Sequence, residues 1–406
     1  MKLVKVGSKQ FQKLCDRNSG CNKRVSESVR KIVDNVRNYG DDAVIKYTRK
    51  FDRVKLSAKD LRVTEGETSG AYQDISPEFV STLKVILNNI NKFYSKQIKK
   101  SWKIKDEDGV MLGEKITPLD TVGVYVPSGT VPLVSSVYMT VIPAKMAGVK
   151  KIVLVTPPNS YKSVDPHILV VANLLKVDEI YKVGGAQAIA SLAFGTKTIP
   201  RVDKIVGPGN AYVTEAKRQV FGYCGIDMLA GPTEVAIIAN QMSNMNFINA
   251  DLEAQSEHFM GLSILITNSK KMARTFKDAD IKGYVILVRN MDEAADVANR
   301  LAVEHLEIVT SDPKKIAAKI NNAGAIFLGP YTPVAVGDYV AGPSHVLPTG
   351  GSARFFSGLS LSDFYKSSHI ISYTKRALEK VREPLERVAG IERLSKHMDS
   401  VKVRFD

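Results

Sequence analysis

Short apolar runs alternate with amphipathic segments through the middle of the chain. Between residues 121 and 220, four β-branched runs, TVGVYVP, KKIVLVTPP, EIYKVGG and DKIVGPG, are each followed by a segment with apolar positions at helical spacing. Strands that are buried on both faces have this continuous apolar character. The alternation therefore predicts a mainly parallel sheet with helices on both faces.

The same pattern restarts near residue 233. TEVAIIA, LSILITN, YVILV, LEIVT and GAIFLG have the character of strands, and helical segments such as MDEAADVANRLAV separate them. Two successive α/β units of similar size predict an α/β fold with two Rossmann-like doubly wound units. The similarity between the two halves is too weak to establish that they arose by duplication.

Both ends of the chain are more polar and have mostly helical spacing. VSESVRKIVDNVRNYGDDAVIKYTRKFD and PEFVSTLKVILNNINKFYSKQIKK predict N-terminal helices, whereas KLSAKDLRVTEGE between them is shorter and strand-like. After about residue 360, the segment SYTKRALEKVREPLERVAGIERLSKHMDS again predicts helices. This tail is too short for a core of its own, so we expect it to pack on the rest of the chain or on another subunit.

The composition is that of an ordinary folded protein. A length of 406 residues predicts about two to four domains. The content of 44% hydrophobic and 24% charged residues is average for a globular protein. No run of about 18 apolar residues and no N-terminal signal core is present, so we expect a cytoplasmic protein without a membrane partner. Three cysteines, Cys15, Cys21 and Cys224, are too few for a disulfide framework or a zinc finger.

The chain carries a formal net charge of +15 at pH 7. Its lysines are scattered over helical segments, and no run interleaves basic and aromatic residues as nucleic-acid modules do. We therefore expect no nucleic-acid partner, and we interpret the excess as solvated surface charge that also attracts an anionic cofactor.

Glycines stand at three predicted strand ends, in VGGAQA, VGPGNA and PSGTVPL. Ligands of doubly wound sheets bind at the carboxyl ends of strands, where glycine lets the backbone approach and a helix N-terminus favours an anion. Neither of the first two motifs is the GxGxxG fingerprint. They are compatible with nucleotide-binding loops and equally with ordinary tight turns.

Four polar motifs are candidates for chemistry, and each has a structural alternative. In EAQSEH, Gln255 and His258 share one helix face, which indicates either half of a metal site or an ordinary helix end; we expect this helix end at the carboxyl edge of the second sheet. In AVEHLEIV, Glu304 and His305 form either an acid–base pair or a helix cap beside a solvated glutamate.

The other two motifs lie nearer the C-terminus. The Gly- and Pro-rich stretch GDYVAGPSHVLPTGG contains Asp338 and His345 and is either shaped to a ligand or a long connector. IERLSKH contains Glu392 and His397, which are either part of a site or ordinary charged side chains in solvent. The remaining histidines do not indicate a site: His167 begins a predicted surface helix, and His369 lies in KSSHIISY without an obvious polar partner.

Taken in order, the motifs resemble the histidinol dehydrogenase family, zinc-dependent and NAD-linked enzymes that end histidine biosynthesis. The resemblance covers the chain from about residue 115 to its end. It rests on YVPSGTVPL, VGGAQAIASLAFGT, DKIVGPGNAYVTEAKRQV, AGPTEV, DLEAQSEH, EHLEI, AGAIFLG, GDYVAGPSHVLPTGG, SDFYK and IERLSKH.

The resemblance implies a role for each candidate side chain. It makes Glu304 and His305 the catalytic acid–base pair. The implied ligands of one Zn²⁺ per subunit are Gln255, His258, Asp338 and His397, with Asp363 of SDF as a lower-ranked rival. The implied substrate contacts are Thr233, Gln255, His258, His305, Asp338, Glu392 and His397. The implied NAD contacts are Tyr125, Gln187 and Asn210.

The implied reaction oxidises L-histidinol through L-histidinaldehyde to L-histidine with two NAD. Neutral His305 suits the removal of the hydroxyl proton, and ionised Glu304 suits the activation of water in the second oxidation. A thiohemiacetal on Cys224 is not supported, because this cysteine lies outside every matched motif. In the family, the tail reaches the partner's active site, which implies a homodimer in which Glu392 and His397 act across the interface.

Four segments follow from the pattern and the resemblance together. They are an N-terminal helical arm (1–22), a first Rossmann-like domain carrying the zinc and acid–base residues (23–124 with 234–359), a second, NAD-binding Rossmann-like domain (125–233), and a C-terminal helical tail at the dimer interface (360–406).

Two departures from the family pattern are visible. Thr233 stands where many relatives have Ser, and the segment between His258 and Glu304 is short. Two other functions remain open: a related zinc/NAD dehydrogenase acting on another amino or sulfonated alcohol, and a catalytically silent scaffold or nucleotide-binding protein with the same fold.

Overall fold

A computed structural model describes residues 1–17, 22–128, 131–258 and 260–406. Cys21 and the centre of the PSGTVPL loop lie outside the described residues. The chain divides into two units, the first formed by Met1–Gln97 and Leu119–Phe364 and the second by Ile98–Pro118 and Tyr365–Asp406.

The strands, in chain order, are β1 (Lys2–Lys5), β2 (Trp102–Lys105), β3 (Met111–Pro118), β4 (Thr121–Tyr125), β5 (Lys151–Thr156), β6 (Glu179–Lys182), β7 (Lys204–Val206), β8 (Gly225–Ile226), β9 (Glu234–Ala239), β10 (Leu262–Thr267), β11 (Gly283–Leu287), β12 (His305–Val309), β13 (Ala325–Leu328) and β14 (Tyr365–Ser372).

The α-helices are α1 (Lys9–Cys15), α2 (Lys23–Phe51), α3 (Glu65–Ala71), α4 (Pro77–Tyr94), α5 (Val134–Met146), α6 (Pro166–Leu174), α7 (Gly185–Phe194), α8 (Ala211–Val220), α9 (Met245–Ser256), α10 (Lys270–Asp278), α11 (Met291–Leu301), α12 (Pro313–Ala317), α13 (Val334–Tyr339), α14 (Lys375–Lys380), α15 (Arg382–Ile391) and α16 (Ser395–Lys402).

The first unit contains two parallel sheets. A six-stranded sheet has the order β1-β11-β10-β9-β12-β13, and a five-stranded sheet has the order β6-β5-β4-β7-β8. Every residue of β9 and β12 is buried, because helices cover both faces of the larger sheet. This double burial explains the continuous apolar runs, and the predicted α/β class with two doubly wound parallel units is confirmed.

Helix α2 covers the five-stranded sheet and not the six-stranded one. Its apolar face, including Val29 and Val36, shares a core with Ile189 of α7 and Val213 of α8. Strand β4 also belongs to the five-stranded sheet, so the expected boundary at residue 124 falls inside a strand. Both α2 and β4 therefore belong with the five-stranded sheet and not with the domain to which they were assigned. Helical spacing shows which face of a helix is buried but not which sheet it packs on.

The second unit is built on an antiparallel sheet of order β14-β3-β2, with α14, α15 and α16 following β14 in the chain. The expected C-terminal helices are confirmed as α14, α15 and α16, and the structure adds strand β14 before them, which pairs with β3 over eight residues. Most side chains of β14 are exposed, and a strand with little burial lacks the two-residue apolar period that sequence patterns show.

Two N-terminal expectations also need correction. The predicted helical arm begins with strand β1, which pairs with β11 at the edge of the six-stranded sheet. The strand-like segment KLSAKDLRVTEGE instead forms a 3₁₀ turn and the start of α3, where Thr64 and Glu67 make a reciprocal capping box. Such a cap stabilises a helix start irrespective of the apolar pattern around it. Among the described residues, no helix is long and apolar enough to cross a membrane.

Candidate active site

The candidate acid–base residues lie where strands of the six-stranded sheet begin. His305 is the first residue of β12, Glu304 precedes it, and β12 is paired in parallel with β9, which begins at Glu234. Helix α9 runs back from the end of β9 and places Gln255 and His258 just before β10. The expectation that this helix end lies at the carboxyl edge is wrong, because a helix between parallel strands ends where the next strand starts.

Glu304 and His305 are both held by the backbone of Glu234. The Glu234 N–H donates to Glu304 Oε2 at 2.8 Å, and His305 Nδ1 lies 3.0 Å from the Glu234 carbonyl oxygen. Since a carbonyl oxygen only accepts, Nδ1 carries a hydrogen. In the neutral ring, the proton-accepting lone pair is therefore on Nε2, which is buried and makes no hydrogen bond to the described residues.

The two side chains strongly affect each other's ionisation. Burial raises the pKa of Glu304 to about 7, against the opposing effects of His305 and of the hydrogen bonds from Thr233 and Glu234. Burial alone would lower the pKa of His305, but the carboxylates of Glu304 and Asp338 reverse this and raise it to about 9. With this pKa the His305 ring is mainly protonated near pH 7 and can accept a proton only in its neutral form, which becomes common as the pH approaches 9, whereas Glu304 is already partly ionised at pH 7.

Asp338 joins this pair from α13. Its Oδ1 lies 3.4 Å from His305 Nε2, and its carbonyl oxygen lies 3.1 Å from Nδ1 of His345. Burial lowers the pKa of His345, so this ring is neutral and its Nδ1–H donates to the Asp338 backbone. His305, Asp338 and His345 line one cavity of about 160 Å³ with Phe327 at its wall.

Gln255 and His258 stand at the end of α9 with groups available for a ligand. Gln255 is buried, and its side-chain nitrogen makes no hydrogen bond to the described residues, whereas His258 is exposed. A Cβ at Gly261 would lie 2.7 Å from the Gln255 carbonyl oxygen and 3.1 Å from its side-chain nitrogen. The backbone therefore passes close to the Gln255 amide, and only glycine allows that approach.

The donor set is chemically suited to zinc. An amide, an imidazole and a carboxylate, from Gln255, His258 and Asp338, supply the N and O atoms that zinc accepts, and His397 would add a second imidazole. The described contacts of Asp338 are with His305 and His345, and none joins it to Gln255 or His258. Within the described residues, no three His, Cys, Asp or Glu side chains cluster as a metal site.

The predicted cofactor residues lie at the carboxyl edge of the five-stranded sheet. Tyr125 ends β4, and its hydroxyl accepts from the Gly185 N–H at 3.2 Å. Gln187 is in the first turn of α7, and both of its amide atoms are buried without a hydrogen bond to the described residues. Asn210 caps α8 by accepting from Tyr212 and Val213. An unpaired buried amide beside two glycine-rich helix starts is a suitable site for a dinucleotide.

The remaining predicted residues have separate positions. Glu392 and His397 are exposed in the second unit, at the end of α15 and in α16. Asp363, the rival zinc ligand, forms an ion pair with Lys204 at 3.0 Å and accepts from the Ser360 N–H. It is thus already engaged in capping a 3₁₀ turn.

Cys224 is buried, and burial raises its thiol pKa to about 11. A thiol with so high a pKa carries almost no thiolate near neutral pH, which argues against a nucleophilic role.

Three carboxyl groups near the site were not among the predicted residues: Glu234 and Glu307, which are buried, and Asp251, which is half-buried. Burial, followed by the Asp251 carboxylate, raises the pKa of Glu307 to about 8, and the Glu307 Oε1 accepts from the Val334 N–H at 2.9 Å. A signal was present in the sequence, since TEVAIIA and HLEIV each carry a glutamate inside an otherwise apolar strand. A glutamate in such a strand is rarely buried without a partner.

Comparisons with known proteins agree with the arrangement. The family model for histidinol dehydrogenase matches residues 15–405. A histidinol dehydrogenase of Clostridium acetobutylicum is 45% identical over 418 residues, covering 98% of this chain and 96% of the relative. One of Bacillus thuringiensis subsp. konkukian is 46% identical over 400 residues, covering 94% and 92%. The crystal structure of histidinol dehydrogenase from Elizabethkingia anophelis matches with a TM-score of 0.92 at 33% identity, covering 100% of this chain and 98% of that one.

Proposed function

This chain belongs to the histidinol dehydrogenase family of oxidoreductases, and we propose that it oxidises L-histidinol through L-histidinaldehyde to L-histidine with two NAD, the last step of histidine biosynthesis. The observation that carries this proposal is the contact of the buried Glu304 and His305 with the partly buried Asp338 at the amino edge of the six-stranded sheet. His305, the proposed proton acceptor, and Asp338, a candidate metal ligand, line one cavity, and the Glu304 carboxylate lies 3.5 Å from Nδ1 of His305.

In the first oxidation, the neutral form of His305 accepts the hydroxyl proton of histidinol at Nε2 while a hydride leaves the carbinol carbon for NAD, so this step should become faster as the pH rises toward 9. The Glu234 carbonyl oxygen retains the hydrogen on Nδ1, so the ring presents its lone pair to the cavity. Proton removal by a positioned base contributes roughly 10²–10⁴-fold to such a step.

In the second oxidation, a water adds to the aldehyde and a second hydride passes to NAD. Ionised Glu304 is the group that we assign to this water, because its pKa of about 7 leaves a substantial fraction ionised at neutral pH. The hydrogen bonds from Thr233 and from the Glu234 N–H stabilise the carboxylate that does this work.

We assign the metal to Gln255, His258, Asp338 and His397, one Zn²⁺ per subunit. Bound there, zinc would fix the imidazole and amino nitrogens of histidinol so that its carbinol carbon faces the nicotinamide. Thr233 and Glu392 complete the proposed substrate contacts. We assign NAD to Tyr125, Gln187 and Asn210 on the other sheet.

We also propose a homodimer in which Glu392 and His397 serve the partner's active site. The second unit, which carries both residues, exposes several large apolar side chains. They are Trp102, Ile104, Ile371, Ile391 and Leu394. Exposed apolar surface of this extent supports a protein interface.

The test is the appearance of NADH absorbance when protein, zinc, L-histidinol and NAD are mixed. We expect two NADH for each histidine formed, and a rate that falls when the protein is treated with a chelator. NADH formation no greater than in the chelator-treated control would reject the proposal. Faster turnover of an alcohol without an imidazole would instead indicate a related dehydrogenase with another substrate.

A further inference from the structure

The backbone of Glu234 makes a hydrogen bond to each member of the acid–base pair, Glu304 and His305. As the first residue of β9, it directs its N–H to Glu304 and its carbonyl oxygen to His305. The neighbouring Thr233 carbonyl already accepts the sheet hydrogen bond from Leu262 at 2.9 Å. A single residue therefore positions both proposed catalytic side chains. Because it begins a strand, fewer sheet hydrogen bonds restrain its backbone than would restrain a residue within the strand.

The side chain of Glu234 is held by a distant part of the chain. Arg17, which follows α1, donates from Nε to Oε1 at 2.6 Å and from Nη2 to Oε2 at 2.5 Å. The Gly350 N–H donates to the same Oε1 at 3.0 Å. The ion pair is buried, with side-chain exposures of 11% for Arg17 and 6% for Glu234. A bidentate arginine in a buried setting restricts the carboxylate much more than a surface ion pair does.

Arg17 also holds the backbone that leads to Glu304. Its Nη1 donates to the Leu301 carbonyl oxygen at 2.6 Å and to Leu14 at 2.9 Å. Leu301 ends α11, and Ala302 after it adopts a left-handed conformation with φ of +46°. A non-glycine residue in this conformation is strained and persists only where its surroundings restrain it. Arg17 thus fixes the approaches to both Glu234 and Glu304.

We infer that Arg17 and Glu234 form a positioning pair, which sets the tautomer of His305 and the location of the Glu304 carboxylate without touching the substrate. The inference rests on the proposed function, because it assigns the pair to the acid–base chemistry of that site. The pair also neutralises charge, since an unpaired Glu234 carboxylate would repel the ionised form of Glu304 that the second oxidation uses.

The first experiment compares Arg17→Met with Arg17→Lys and with a control that removes another partly buried ion pair. Lys204→Met is the control, because Lys204 pairs with Asp363 at 3.0 Å in the same unit and has no proposed catalytic or binding role. We expect Arg17→Met to lower kcat for histidinol oxidation roughly 10- to 100-fold, the effect typical of residues that orient a reactive group. The KM for histidinol should stay within about threefold, Arg17→Lys should recover part of the loss, and Lys204→Met should retain kcat.

The second experiment observes the His305 ring directly in zinc-loaded, full-length protein labelled with ¹⁵N at histidine. Long-range ¹H–¹⁵N correlation spectra distinguish the two neutral tautomers, and the His305→Asn variant identifies the signal of this ring. At a pH where the ring is neutral, we expect the wild type and Lys204→Met to show the Nδ1–H tautomer. Arg17→Met should show a mixture of both tautomers.

Unchanged kcat in folded Arg17→Met, or a His305 spectrum identical to that of the wild type, would overturn the inference. If Arg17→Met does not fold, Glu234→Gln provides the same two readouts, since it keeps the side-chain volume but weakens the bidentate pair. Failure of the proposed function is recognised separately, because the wild type would then form no NADH from histidinol. The ring spectra would still test the positioning pair in that case.

Discussion

The Nε2 atom of His305 lies 3.4 Å from Oδ1 of Asp338, and both side chains line the same cavity. The opposite ring nitrogen faces the carbonyl oxygen of Glu234, so Nε2 is the atom left to exchange protons with a ligand. Asp338, a proposed metal ligand, therefore contacts His305, the proposed base, at its reactive atom. The two side chains should act together. Substitutions of His305 and Asp338 should consequently not be additive.

Replacing His305 with Asn tests the proposed base. Asn cannot take up the hydroxyl proton, so we expect turnover of histidinol to fall roughly 10²–10⁴-fold. The zinc content, measured by elemental analysis of the purified protein, should not change, because His305 is not among the proposed ligands. Turnover at the wild-type rate would remove His305 from the mechanism.

Glu304→Gln tests the assignment of the second oxidation. The pKa of Glu304 is raised to about 7 by burial, and the ionised form is the active one in our proposal. The rate of wild-type aldehyde oxidation should therefore rise with pH between about 6 and 8 and then level off. Supplying histidinaldehyde directly isolates this step. The variant should lose the rising limb, and a wild-type pH profile in the variant would contradict the role of Glu304.

Glu307→Gln should stabilise the fold at higher pH. Burial and the neighbouring Asp251 raise the pKa of Glu307 to about 8, well above its ordinary value of 4.5. A group with a raised folded-state pKa favours the fold at low pH, and this contribution is lost as pH rises from the unfolded to the folded pKa. Glutamine mimics the protonated form and does not ionise.

The advantage of Glu307→Gln over the wild type should accordingly grow between about pH 4.5 and 8 and remain constant above that. Thermal unfolding followed by circular dichroism at several pH values measures it. Asp108→Asn serves as a control, because the pKa of this carboxylate is lowered by its pairing with Lys380 and Arg376 and not raised. This variant should show no such gain with pH.

The sequence pattern predicted the layers of the first unit because their strands are buried on both faces. TEVAIIA and LSILITN became β9 and β10, and KKMARTFKD became α10. The pattern missed β14 and β2, since strands with exposed side chains leave no apolar period, and the pairing of β14 with β3 links residues about 250 positions apart. Local spacing contains no information about such partners.

Most of the candidate site followed from a family resemblance and not from spacing. Gln255 and His258 are recognisable on one helix face, but their location at the amino edge depends on which strands are parallel. The positioning role of Arg17 was not visible at all, because the residue it binds is 217 positions away. Contacts between distant segments are what the structure adds.

Gln187→Ala tests the proposed cofactor site. Both amide atoms of Gln187 are buried and unpaired among the described residues, so a bound dinucleotide would supply their missing partners. Loss of one neutral hydrogen bond, about 0.5–1.5 kcal/mol, predicts a rise in the KM for NAD of roughly 2- to 10-fold. The KM for histidinol should not change. An effect on histidinol alone would place Gln187 in the other site.

Mixing two inactive variants tests whether active sites are shared between subunits. If His258 of one chain and His397 of its partner serve the same site, a dimer of one His258→Asn and one His397→Asn chain contains one intact site. Random exchange makes half of the dimers mixed, so about a quarter of the wild-type activity should return. Each variant alone provides the baseline, and native mass spectrometry shows that mixed dimers have formed. If each site were built within one chain, every site in the mixture would lack a ligand, and activity would stay at the baseline despite subunit exchange.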